Sequence, residues 1–137
     1  MSLRFDVMLE KHDALQMNAM QLAYLGDSVW ELIVRYEQIL HRYNVNHMHK
    51  NCVESVNAHS QAVMLQSIQN LLNETEQEIV RRGRNAHAKH TVPRNQSAEE
   101  YAAATGFEAL LGFLYLTGQN ERIRELVNDI KEMNRNG

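Results

Sequence analysis

Cysteine occurs once, at Cys52, so no disulfide can form within the chain. Proline also occurs once, at Pro93, and the 6 glycines are too few for a β-rich fold with many tight turns or for a low-complexity chain. No positively charged start leads into an apolar run, and no apolar stretch is long enough to span a bilayer. Secretion and membrane insertion are therefore not indicated, and the cytoplasm is the expected compartment. Nor is there a basic excess: 14 Lys and Arg stand against 17 Asp and Glu, so bulk charge gives no sign of a nucleic-acid partner. What is present is 44% hydrophobic and 23% charged, the balance of a globular chain, at a length of 137 residues that suits one hydrophobic core. A single domain over 1–137 is expected.

Apolar residues recur near every 3.6 positions along most of the chain and alternate nowhere for long, which predicts an all-α helical bundle. Several helices carry their own punctuation. Segments from about Asn18 to Leu40 and from about His47 to Leu72 are long enough for substantial helices, with HRYNVNH between them. Asn73 precedes the acidic turn ETEQE, and Gly83 follows an arginine-rich turn, so a helix is expected to run between them with charges matched to its dipole. Ser97 and Glu100 form a capping-box pattern for a helix that can run to Gly118. Asn120 can cap a last helix whose stripe, Ile123, Leu126, Val127, Ile130 and Met133, reads as core.

Two carboxylates stand out because of their apolar surroundings. Asp27 lies in QLAYLGDSVWELI and Glu108 in TGFEALLGFLYL. A buried carboxylate is costly unless hydrogen-bonded, capped or bound to a cation. For Asp27 the plain alternative is an N-cap after Gly26; for Glu108 it is an exposed position on an amphipathic helix. Neither explains the pair, whereas two carboxylates completed by water and a substrate phosphate are a donor set that Mg²⁺ accepts.

Charge distribution adds a second lead. No acid occurs from Ile79 to Ala98, while Arg81, Arg82, Arg84 and Lys89 fall within RRGRNAHAKHTVPR, which suits a phosphate-bearing partner as well as a solvated loop. A shorter acid-free stretch holds His41, Arg42, His47, His49 and Lys50, either phosphate contacts or a polar connector. His47 and His49 are two apart and do not share a helix face, and Cys52 has no second thiol at ligand spacing, so zinc is not expected.

Taken together, LAYLGDSVWE resembles the signature of the ribonuclease III catalytic domain, and FEALLGFLYLTG resembles that family's second catalytic helix. Their order, their separation and the RRGRNA segment between them are similar to the short branch, Mini-III, which has the catalytic domain without a double-stranded-RNA-binding domain. The resemblance extends from about Leu15 to Lys131. It implies a helical domain that forms a homodimer, lays double-stranded RNA across it and hydrolyses one phosphodiester in each strand with Mg²⁺, leaving a 5′ phosphate and a 3′ hydroxyl. Asp27 and Glu108 match the family's catalytic, metal-holding aspartate and glutamate, and Tyr24 stands where the family places an aromatic at the dimer interface. An ordinary core aromatic is the alternative for Tyr24. With no separate RNA-binding domain, Arg81, Arg82, Arg84 and Lys89 are expected to supply much of the affinity, through phosphates of the duplex. The resemblance further implies maturation of precursor 23S ribosomal RNA, in which a ribosomal protein could assist.

The sequence departs from the larger enzymes of the family at two places. They carry a glutamate four residues before the Asp27 position and an aspartate three before the Glu108 position; here Ala23 and Thr105 stand there. Both spacings keep the lost carboxylates on the helix faces of the retained ones, so the metal site is thinned. A scaffold that binds RNA or the ribosome without cutting is therefore the alternative to catalysis. A third reading takes the His12–Asp13 pair as part of an HD-type metal phosphohydrolase, although no further ligands of such a site are identifiable.

Overall fold

The computed structural model describes residues 8–42, 44–46, 57–87 and 97–136. They hold no strand, and their helices include α1 (Lys11–Leu15), α2 (Ala19–Leu40), α3 (Ala58–Ile68), α4 (Glu74–His87), α5 (Ala98–Leu116) and α6 (Asn120–Asn136). A single 3₁₀ turn, Gln69–Leu71, follows α3. The all-α expectation holds.

Of the caps read from sequence, those at Asn73 and Ser97 are in place, whereas Asn120 is the first residue of α6 and not its cap; a further cap was not foreseen. Asn18 and Gln21 make a reciprocal capping box at the start of α2. Asn73 and Glu76 do the same for α4, with both hydrogen bonds at 2.9 Å. Ser97 Oγ accepts from the Glu100 amide at 3.0 Å. At the other end of α5, Gly118 takes a φ of 71°, and the amides of Gly118 and Gln119 return to the carbonyls of Tyr115 and Leu114. That reversal satisfies the last carbonyls of the helix, and it needs the left-handed conformation that glycine adopts without penalty.

Helix α5 is the centre of the fold. From Ala103 to Leu114 every residue except Glu108 is buried, as expected of a helix that is apolar all round. It packs against α2, α3 and α4. Against α2 the backbones nearly touch: a Cβ on Gly26 would stand 1.6 Å from the Glu108 carbonyl oxygen, and one on Gly112 would stand 1.9 Å from that of Leu22. Trp30 and Phe107 extend this contact with an edge-to-face ring pair, centroids 5.3 Å apart.

Gly83 corrects one expectation. It does not end α4, which continues to His87; instead it faces Gly106 of α5, whose Cα lies 2.8 Å from where a Gly83 Cβ would be. The glycine answers to a helix crossing, not to a C-terminal reversal. In α6 the predicted stripe is largely core, with Ile123, Leu126, Val127 and Ile130 buried and Met133 40% exposed. The sequence-predicted contacts at His47, His49 and Lys50, and also Cys52, lie outside the described residues.

Candidate active site

The close crossing of α2 and α5 decides where the two carboxylates stand. Asp27 follows Gly26 and Glu108 supplies the very carbonyl that Gly26 approaches, so both side chains emerge beside one backbone contact. They line a single cavity of about 400 Å³, together with Ala23, Gln61, Tyr101 and Thr105. The helix-face argument for Ala23 and Thr105 is therefore correct: both positions open onto the place where Asp27 and Glu108 meet.

Neither plain alternative survives. Asp27 lies in the interior of the 22-residue α2, whose N-cap is Asn18. Glu108 is half-buried on the most buried helix of the fold, not on an exposed face. Burial, a hydrogen bond with Asp27 and the charge of Asp27 together push the Glu108 carboxyl up to about 8. Glu108 therefore favours its protonated form at neutral pH.

The third wall of the cavity was not foreseen. Gln61 of α3 is 2% exposed, and its side-chain Nε2 has no hydrogen-bond partner. Its amide favours the ionised form of Glu108, though it does not close a hydrogen bond of ordinary geometry on it. The only signal in the sequence was that Gln61 falls at the helical spacing of Ala58, Leu65 and Ile68 on α3. Thr105 is buried, and its hydroxyl donates to the Tyr101 carbonyl at 3.0 Å, leaving lone pairs but no proton for the cavity.

Oxygen donors from two carboxylates in one open cavity fit a hard divalent cation. Asp27 and Glu108 are the residues that would hold it. Among the described residues no group of three or more His, Cys, Asp or Glu is placed to bind a metal, so two carboxylates are the whole acidic set there. His12 and Asp13 are both exposed on the short α1 and belong to no such group.

The basic segment divides. Arg81 is exposed and pairs with Glu78, its Nε donating at 2.9 Å. Arg82 has an internal task instead: Nη1 and Nη2 donate to the backbone carbonyls of Leu15 and Met17 at 2.8 and 2.6 Å, tying the end of α1 to α4. Arg84 lays its stem over Gly106 and lines a second cavity with Glu99, His59 and Glu100, the last two next in sequence to Ala58 and Tyr101 of the first. Lys89 lies outside the described residues. Tyr24 is 84% exposed, which excludes a core role.

Residues 20–119 match the family model for the ribonuclease III domain. The Mini-ribonuclease 3 of Symbiobacterium thermophilum is 48% identical over 108 residues, which cover 77% of this chain and 82% of that protein. That of a Thermoanaerobacter species is 40% identical over 121 residues, 88% of this chain and 84% of the relative. The crystal structure of a Fusobacterium nucleatum protein superposes with a TM-score of 0.80 at 32% identity, over 89% of this chain and 98% of that one.

Proposed function

The chain belongs to the ribonuclease III family and is an endoribonuclease of that type; on this premise we propose that it acts as a Mini-III enzyme, a Mg²⁺-dependent homodimer cutting double-stranded RNA. The observation that carries the reading is the meeting of Asp27 and Glu108 in one open cavity, with the Glu108 carboxyl raised to about 8. When bound there, Mg²⁺ supplies Lewis acidity toward a phosphate and an acidified water. The protein's own part is to orient the two carboxylates through the Gly26–Gly112 crossing.

Exposure supports the dimer. Besides Tyr24, α2 presents Leu32 at 67% and Tyr36 at 60%, and these two flank a groove completed by Tyr115, Ile123 and Val127. So much apolar surface along one helix suits an interface between copies. Arg81 and Arg84, with Lys89, are the proposed phosphate contacts, and Arg82 is withdrawn from that role because its guanidinium is engaged by backbone. The residues 1–137 are taken as one catalytic domain in the cytoplasm; no helix among the described residues is long and apolar enough to cross a membrane. The substrate we propose is the duplex stem of precursor 23S ribosomal RNA, with a ribosomal protein as a possible aid.

Incubating the protein with long double-stranded RNA, with and without Mg²⁺, alongside folded Asp27→Asn and Glu108→Gln variants tests the reading. Mg²⁺-dependent cuts by the wild type should fall at least about a hundredfold in each variant, as when one group stabilising transition-state charge is lost. Binding of the duplex without any cutting would instead select the scaffold alternative, which the thinned acidic set favours.

A further inference from the structure

A buried donor with no partner is uncommon, because such a group loses its water without gaining a hydrogen bond in return. Gln61 is such a case. Its side chain is closed off from solvent, its Nε2 bonds to nothing, and it lines the cavity in which Asp27 and Glu108 stand. A metal cannot satisfy an N–H; a carboxylate oxygen can. An RNA phosphate is the other anion in reach of the cavity, but Gln61 at 2% exposure is the deepest polar group there, while Asp27 is exposed and Glu108 half-buried. The carboxylate next to it is the nearer acceptor.

We propose that Gln61 is a positioning residue for the metal site: its buried amide N–H donates to the Glu108 carboxylate and holds that carboxylate in its ligating orientation. The proposal rests on the metal-site reading above. The role is that of an outer partner of a ligand, whose removal typically lowers metal affinity about 10- to 100-fold. It also gives α3 a place in the site, which otherwise draws its carboxylates from α2 and α5 alone. The favourable effect of Gln61 on the ionised form of Glu108 agrees with this direction.

Gln61→Met keeps length and volume and removes the donor. Calorimetric Mg²⁺ titration of the full chain without RNA should show affinity reduced about tenfold or more, with fold, dimer and metal-free RNA affinity unchanged. In a Glu108→Gln background the same substitution should change nothing further, which a merely structural role would not produce. If the wild type binds Mg²⁺ and cuts RNA while Gln61→Met matches it within twofold, the positioning role is wrong and the nuclease reading stands. If the wild type binds no Mg²⁺ at all, both fall together. Should Gln61→Met fail to fold, the wild-type Gln61 side-chain amide decides by ¹H–¹⁵N NMR. A shift on adding Mg²⁺ that is absent in Glu108→Gln supports the role, and no shift in the wild type overturns it.

Discussion

At the scale of single residues, the site sets two carboxylates against each other beside a buried helix crossing. The Glu108 carboxyl is raised to about 8 by burial and by Asp27. A carboxyl whose folded value lies above its unfolded one binds its proton more tightly when folded, so its contribution to stability is present at acid pH and is lost as pH rises toward 8. In metal-free buffer the wild type should therefore lose stability between about pH 4.5 and 8, and Glu108→Gln should remove that loss. Thermal unfolding at pH 9 with a chelator should place the variant's Tm above the wild type's by about 3 °C or more, corresponding to on the order of 1 kcal/mol. A Tm at or below the wild type's would contradict the strained pair. The same proton must leave when a cation arrives. Mg²⁺ affinity should then rise about tenfold per pH unit below pH 8, read by calorimetry in buffers of different ionisation enthalpy.

At the scale of elements, two glycine crossings and one ion pair hold the helices at the spacing the site requires. Gly26→Ala places a methyl 1.6 Å from the Glu108 backbone oxygen, so α2 and α5 must separate. The expected cost is about 3 kcal/mol or more, at the upper end for overpacking, with loss of activity as Asp27 and Glu108 part; denaturant unfolding measures it. A folded, active Gly26→Ala protein would show that the crossing does not set the carboxylate geometry. Farther off, Glu76 is 1% exposed and takes two hydrogen bonds from Arg122, both at 2.8 Å. Burial opposes ionisation of Glu76, but Arg122 and the Asn73 cap outweigh it and leave the carboxyl below its usual range. Its folded value is depressed, so its stabilisation is present above the ordinary glutamate range and is lost as pH falls through the lower folded value. Arg122→Met should cost about 3 kcal/mol at pH 7, the low end for breaking a buried pair because Arg122 keeps some solvent contact. That penalty should shrink in acid.

At the scale of the whole molecule, charge and exposed apolar surface set the partners. With 14 basic against 17 acidic residues, affinity for RNA must come from local clusters and not from net charge. Arg84→Ala should weaken duplex binding and flatten its salt dependence by about one unit of slope, measured by titration at several salt concentrations. Arg82→Ala should act differently, lowering stability through the lost ties to Leu15 and Met17 before it touches the salt slope. The apolar face of α2 makes a separate prediction. Leu32→Glu with Tyr36→Glu should yield a folded monomer by sedimentation, and a dimer that persisted would place the interface elsewhere.

The sequence by itself determined the helical class, most of the caps and the two carboxylates, because each is encoded locally: by a 3.6-residue period, by a side chain beside a helix start, or by a charge among apolar neighbours. It also placed Ala23 and Thr105 on the right faces, since helix geometry alone carries a side chain three or four positions along. Only the tertiary structure decided what depends on neighbours distant in the chain. Gly83 reads as a helix stop until Gly106 is seen against it. Arg82 reads as a phosphate contact until its guanidinium is found on the carbonyls of Leu15 and Met17, and Glu76 reads as a first-turn acid until Arg122 closes on it from 46 positions away. Gln61 reads as one polar residue on α3 until three helices converge to leave its amide facing the carboxylate pair. Periodicity records which face of a helix is turned inward; what that face meets is settled only when the helices pack.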